Sequence, residues 1–175
     1  MHPSTDMVEL IHQYALLHEK KKGYGRTGEN QIPLFLPIVK ELNPTTILDH
    51  GSGKSFLADR LNFNGKIRTY RYDPAVPELS KLPTEKIDLV LSTDVLEHIP
   101  EPYISDFIAD IREISENALF AISLRPSGND LPDGRPCHLT VKDVNWWMCQ
   151  LAVHFHTVKV VLHDINAKKV IIRTF

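Results

Sequence analysis

At 175 residues, with 24% charged side chains and a formal net charge of -2, the chain is sized for one domain around a single core and carries no overall basic field of the kind that holds nucleic acid. No apolar run reaches membrane-spanning length, so no membrane partner is expected. Its two cysteines, Cys137 and Cys149, come with no secretory leader, and are expected to be free thiols of a reduced, cytoplasmic protein.

Residues 4 to 19 start with Ser4 and Thr5 as capping residues, after which Met7, Leu10, Ile11, Tyr14 and Leu17 recur at helical steps. The spacing predicts an amphipathic helix. It ends in His18-Glu19-Lys20-Lys21-Lys22-Gly23-Tyr24-Gly25-Arg26, a basic loop punctuated by glycine. That loop reads either as a solvated charge run or as a flap over a ligand. In the second reading Tyr24 stacks or hydrogen-bonds, and a Lys or Arg meets a carboxylate or phosphate. A second helix is predicted over 29 to 42, with Pro33 tolerable in its first turn and Pro37 expected to kink or divide it.

Thr46-Ile47-Leu48 is a short β-rich run that reads as a buried strand. Asp49-His50-Gly51-Ser52-Gly53 then makes a glycine turn, and Phe56 to Leu61 has helical spacing. Strand, tight turn and helix form a ligand-binding unit, because glycine lets backbone approach a bound molecule and a helix start offers free N–H donors. A P-loop needs its first glycine where Leu48 stands, and a dinucleotide fingerprint needs one where Phe56 stands. What remains is an acidic residue followed by Gly-x-Gly.

Ile67 to Tyr72 is the next predicted strand, stopped by Asp73-Pro74. Asp73 falls 22 residues past Gly51, at the strand end where nucleoside-binding sheets keep an acidic residue for the ribose hydroxyls. The alternative is a simple Asp-Pro turn. The proline-rich stretch from Pro74 to Lys86 is short. Ile87 to Ser92 is a buried strand that runs into Thr93-Asp94-Val95-Leu96-Glu97-His98-Ile99-Pro100. A helix over 103 to 115, a strand over 118 to 124 and a long polar loop over 125 to 136 come next. Thr140 is expected to cap a helix through Leu151 in which Trp146 and Trp147 face different ways, one into the core and one toward surface or site. Residues 155 to 162 and 169 to 174 alternate and read as a terminal hairpin.

The glycine turn with Asp49, the acidic Asp73 and the run IDLVLSTDVLEHIP together resemble, in order, the motifs of the class I S-adenosylmethionine (SAM) dependent methyltransferases, with Ser55 where a third glycine is frequent. The resemblance covers about half of the chain. Its texture is also similar to small bacteriophage and bacterial methyltransferases. It implies an α/β fold: a Rossmann-like, mostly parallel sheet with an antiparallel C-terminal hairpin, helices on both faces and an N-terminal helical cap. Residues 1–43 would form the cap and 44–175 the core of this single domain. The family usually fits a helix and another strand between Pro74 and Lys86, so this chain has an abbreviated version. The resemblance further implies SAM as cofactor, bound by Asp49, His50, Gly51, Gly53, Asp73, Pro74, Asp94, Val95 and Tyr24.

Asp94, Glu97 and His98 stand at i, i+3 and i+4, and share a face if the segment makes one helical turn. With His138 after the long loop they form a credible divalent-metal set. The pattern is similar to that of methyltransferases acting on the terminal ribose 2′-oxygen of small RNAs, where a metal holds the 2′ and 3′ hydroxyls. This chain lacks those enzymes' length and accessory parts. The competing readings are a metal-free base role for His98 or His138, and a structural role. His154, His156 and His163 lack any metal-like grouping, as does His50 outside the turn.

The acceptor expected is a small metabolite, sugar or nucleotide, presenting a hydroxyl or amine. Duplex nucleic acid is disfavoured because no basic stripe appears. The sequence leaves the oligomeric state open. The rival readings are a SAM-binding sensor or scaffold that transfers no methyl group, and a nicotinamide oxidoreductase on a similar sheet.

Overall fold

A computed structural model describes residues 5–175. Ser4 and the side chain of Thr5, expected to cap the first helix, lie outside what it describes. The elements in order are α1 (Thr5–Lys20), α2 (Ile32–Leu42), β1 (Thr46–His50), α3 (Leu57–Leu61), β2 (Arg68–Tyr72), β3 (Leu89–Thr93), α4 (Ile104–Ile114), β4 (Ala118–Ser123), α5 (Val144–His154), β5 (Lys159–Asp164) and β6 (Lys169–Arg173). Residues Thr27–Gln31 form a 3-10 turn leading into α2, which continues undivided across Pro37.

One six-stranded sheet runs in the order β2-β1-β3-β4-β6-β5. The first four are mutually parallel, and β6 is antiparallel to both β4 and β5. Alternation along the strands explains the layering, since successive side chains point to opposite faces. Ile47, Leu89, Leu91, Leu119 and Ile171 join Phe35 of α2 and Leu57 of α3 in one core. The residues one step on, among them Leu48, Val90, Phe120 and Ile172, join Ile108 of α4 and Trp147 of α5 in the other. These strands read as continuous apolar runs because both faces are covered.

The expected N-terminal cap is smaller than residues 1–43. The α2 helix belongs to the sheet's own helical layer, whereas α1 reaches the sheet's core only through Met7 and packs Leu10 and Leu17 against Leu131 and Cys137 of the long loop. Between β2 and β3 there is a single 3-10 turn, Pro77–Leu79, so the abbreviated connection is real. The last long helix is not capped by Thr140, whose hydroxyl instead donates to Ile99 O at 2.7 Å. Asp143 caps it, its Oδ1 accepting from Trp146 N at 2.9 Å. Replacing that acceptor leaves a first-turn N–H unsatisfied, so Asp143→Ala should lower unfolding stability by about 1 kcal/mol in urea titration. Trp147 is fully buried and Trp146 half-buried, dividing the pair as the helical geometry requires. Both cysteines are free. Among the described residues no helix is long and apolar enough to cross a membrane.

Candidate active site

Strand order reverses between β1 and β3, which opens a crevice at the C-terminal ends of the parallel strands. A cleft of about 1400 Å³ occupies that place, above the 300–1,000 Å³ usual for a small-molecule pocket. Every site residue predicted from the sequence lines it: Tyr24, Asp49, His50, Gly51, Gly53 and Asp73, then Pro74, Asp94, Val95, Glu97, His98 and His138.

The turn after β1 needs its glycines for different reasons. Gly51 has φ +79, and a Cβ there would lie 2.5 Å from Val95 Cγ2. Gly53 has φ +53, and a Cβ there would meet Gly25 O at 2.8 Å. The second contact shows that the basic loop after α1 is seated on the turn. Lys54 N donates to Gly25 O at 2.7 Å, and Lys54 Nζ to His18 O at 2.7 Å. Tyr24 packs edge-on against His18, with ring centroids 5.0 Å apart. The loop therefore covers the turn as a flap does.

Asp73 ties the two strand ends together. Its Oδ2 accepts from Gly53 N at 2.7 Å and its Oδ1 from Ala75 N at 2.9 Å. A carboxylate offers about four lone-pair directions, so two remain for a ligand. Asp49 is 2% exposed, with Oδ2 lacking any hydrogen-bond partner among the described residues. Burial, reinforced by the Asp73 charge, pushes its pKa from 3.8 up to about 7. In the folded chain it thus keeps a proton that an unfolded chain releases near pH 4, so its ionisation removes stability as pH rises from about 4 to 7. The stability of Asp49→Asn relative to the unmodified protein should grow by up to about 1.4 kcal/mol per pH unit across that window and then level off, read by urea unfolding at stepped pH. A flat difference would show that Asp49 ionises normally.

The segment after β3 makes only one 3-10 turn, Leu96–His98, and Asp94 sits before it with φ +54. Asp94, Glu97 and His98 therefore do not form the single helical face expected. Asp94 is committed elsewhere, with Oδ1 2.8 Å from Lys169 Nζ and Oδ2 accepting from Thr27 Oγ1 at 3.2 Å. The group that does converge is Glu97, His98 and His138, whose ligand atoms all lie within 4.8 Å of one another. The long loop folds back to deliver His138: Leu139 N and Thr140 N donate to Glu97 O at 2.8 and 3.0 Å, and Cys137 N donates to Asn129 O at 3.1 Å.

Hydrogen bonds assign the imidazole tautomers. Tyr14 hydroxyl donates to Cys137 O at 2.7 Å, which leaves its oxygen an acceptor toward His98 Nδ1 at 3.0 Å; with Cys137 O also 2.9 Å away, Nδ1 faces two acceptors and is assigned the ring hydrogen. His138 Nδ1 likewise faces Arg125 O at 2.6 Å. Both Nε2 atoms are left with lone pairs, the orientation that carbonyl-anchored metal ligands adopt. Burial and the neighbouring His138 lower His98 to about pH 4. Glu97 is fully buried; Oε1 accepts from Ser123 N at 2.9 Å and Oε2 has no partner among the described residues. Burial and Asp94 raise its pKa to about 8.

Sequence reasoning missed four supporting residues. Tyr14 counted only as an apolar position of α1, and Thr27 and Lys169 sit in segments with no motif. Phe107, whose ring stands 5.1 Å from that of His50, is on the buried stripe of α4. Tyr14 alone left a signal, a hydroxyl on an otherwise apolar helix face.

No family model matches the chain, and no curated protein matches its sequence. Solved structures do. DhpI in complex with SAM and HEP superposes with a TM-score of 0.64 at 13% identity, covering 98% of this chain and 98% of that one. The methyltransferase domain of bacterial CtHen1 gives 0.61 at 16% identity over 84% and 97%. The N-terminal domain of EvdMO1, crystallised with S-adenosylhomocysteine (SAH) and D-fucose, gives 0.58 at 13% identity over 84% and 82%. Sheet order, antiparallel closing hairpin and these superpositions agree: the chain has the Rossmann-like fold of the SAM-dependent methyltransferases.

Proposed function

We propose that this chain is a SAM-dependent methyltransferase acting on a hydroxyl or amine of a small metabolite, sugar or nucleotide in the cytoplasm. The observation that carries the reading is the buried Asp49, whose Oδ2 has no partner among the described residues, lining the same cleft as the glycine turn and Asp73. An orphaned carboxylate oxygen beside a passage kept free of Cβ atoms fits a ligand bearing an ammonium group and a ribose. Asp49 takes the ammonium, whose charge favours the ionised carboxylate and releases the proton that burial retains, Asp73 takes the ribose hydroxyls, and Pro74 and Val95 flank the base. The flap at Tyr24 and Gly25 excludes water from the turn.

Bound SAM supplies a methyl group already activated by its sulfonium charge, which is why alignment matters more than covalent help. The chain's own part is to hold the acceptor beside His98 and His138 and to take up the hydroxyl proton where there is one. Calorimetric titration with SAM, SAH and NAD tests the reading. Binding of SAM and SAH with none of NAD supports it, and NAD binding alone sinks it. Labelled SAM offered with acceptor pools then separates an enzyme from a sensor or scaffold.

A second reading refines the first. Glu97, His98 and His138 have the donor set, the convergence and the carbonyl-anchored tautomers suited to a divalent cation. His98, held near pH 4, is a weak base for a hydroxyl, which favours metal assistance over simple proton abstraction. When bound there, a metal would acidify an acceptor hydroxyl. The methyltransferases of terminal RNA ribose offer the precedent in chemistry, and CtHen1 is among the structural neighbours.

A further inference from the structure

The cleft is electrically divided. Its α4 end is acidic: Asp106, Asp110 and Glu113 line it, joined by Glu85, and the cation there, Lys86, donates through Nζ to Glu113 O. The end beyond the Glu97–His98–His138 group is lined instead by Lys21, Arg125 and Lys169. Lys169 is neutralised by Asp94. Lys21 Nζ meets only the neutral Asn129 Oδ1, at 2.6 Å. The Arg125 guanidinium has no hydrogen bond or ion pair with any described residue. Its backbone is nevertheless held, because Arg125 O anchors His138 Nδ1. The wall that follows, Pro126 to Asn129, contains no carboxylate.

Resting on the methyltransferase reading above, we propose that the methyl acceptor carries a phosphate group, taken by the Arg125 guanidinium with Lys21 as second cation. Two cations with no ion-pair partner among the described residues, one from the loop after α1 and one from the loop after β4, line a partly enclosed cleft; they raise the local concentration of an anion and leave a neutral acceptor without a counterpart. The planar guanidinium fork suits two phosphate oxygens at once, which a lysine alone does not match. The cofactor's own carboxylate is a poorer match for Arg125. That residue follows β4, and β3 intervenes between β4 and the glycine turn of β1. Gripping a phosphate at Arg125 sets the acceptor's distance from His138, one backbone hydrogen bond away, so the same residue fixes charge selectivity and reach.

The test compares ribose with ribose 5-phosphate, and uridine with uridine 5′-monophosphate, as ligands of the SAH-saturated protein in chelator-treated buffer. In at least one pair the phosphorylated member should bind at least tenfold tighter, and inorganic phosphate should compete with it. Arg125→Gln should erase that preference while leaving SAH affinity within twofold, and Arg125→Lys should restore part of it. Equal binding within both pairs, or no binding of any probe, overturns the proposal. So does an Arg125→Gln protein that loses SAH in the same proportion, since Arg125 would then serve the cofactor. Arg125 is exposed, so the substitutions should leave folding intact. If SAH fails to bind the unmodified protein, the methyltransferase reading fails, and the same ratios measured without it decide the phosphate site separately.

Discussion

Asp73→Ala is expected to weaken SAM binding at least about a hundredfold, a loss near 2.7 kcal/mol. Two effects combine in it. The ribose hydroxyls lose an ionised acceptor, and hydrogen bonds to charged groups contribute about 1.5–3 kcal/mol each. Gly53 N and Ala75 N also lose their shared partner, which unmoors the glycine turn from the end of β2. Asp73→Asn keeps one acceptor oxygen and should bind about tenfold more weakly than the unmodified protein. Gly53→Ala separates the two effects. It leaves the carboxylate in place but puts a Cβ 2.8 Å from Gly25 O at φ +53, so it should displace the flap and weaken SAM without changing the Asp73 side chain. Calorimetry on the three variants reads the outcome. An Asp73→Ala protein that binds SAM as tightly as the parent would remove the ribose assignment.

How much of this was legible follows from range along the chain. The glycine turn, Asp73 and the strand endings are local patterns, with positive φ, strand run and stop signal within a few residues, and they lie in the cleft where expected. The buried strands β1 and β3 were legible for the same reason, as short apolar runs covered on both faces. Pairings that depend on distant segments were not legible. Asp94 looks like a member of its own local cluster, yet Lys169, 75 residues later, claims it. Thr140 looks like a cap because it precedes an apolar run, yet a buried carbonyl at Ile99 offers its hydroxyl a partner that a helix start three residues on does not. The apparent continuity of residues 1–43 hides a division of labour, since Phe35 and Val39 have a sheet to cover while Leu10 and Leu17 have only the long loop.

Glu97→Gln should abolish divalent binding and, for a hydroxyl acceptor, slow methyl transfer on the order of 10³-fold, about 4 kcal/mol in barrier height. Glu97 is buried with one oxygen held by Ser123 N and the other unpartnered, a costly arrangement unless something positive meets it. The amide keeps the Ser123 contact through its carbonyl oxygen and removes the ionisable form that a cation would draw out of a side chain whose pKa burial raises to about 8, so the fold should survive. His138→Ala should match Glu97→Gln in Mn²⁺ titration. Asp94→Ala should not, because Asp94 lies outside the converging group and its loss frees Lys169 instead. Asp94→Ala thus parts from the other two variants, whereas a site built on Asp94 would lose the metal in all three. An unmodified protein that binds no Mn²⁺ and keeps its full rate in excess chelator would return His138 to the role of a simple base.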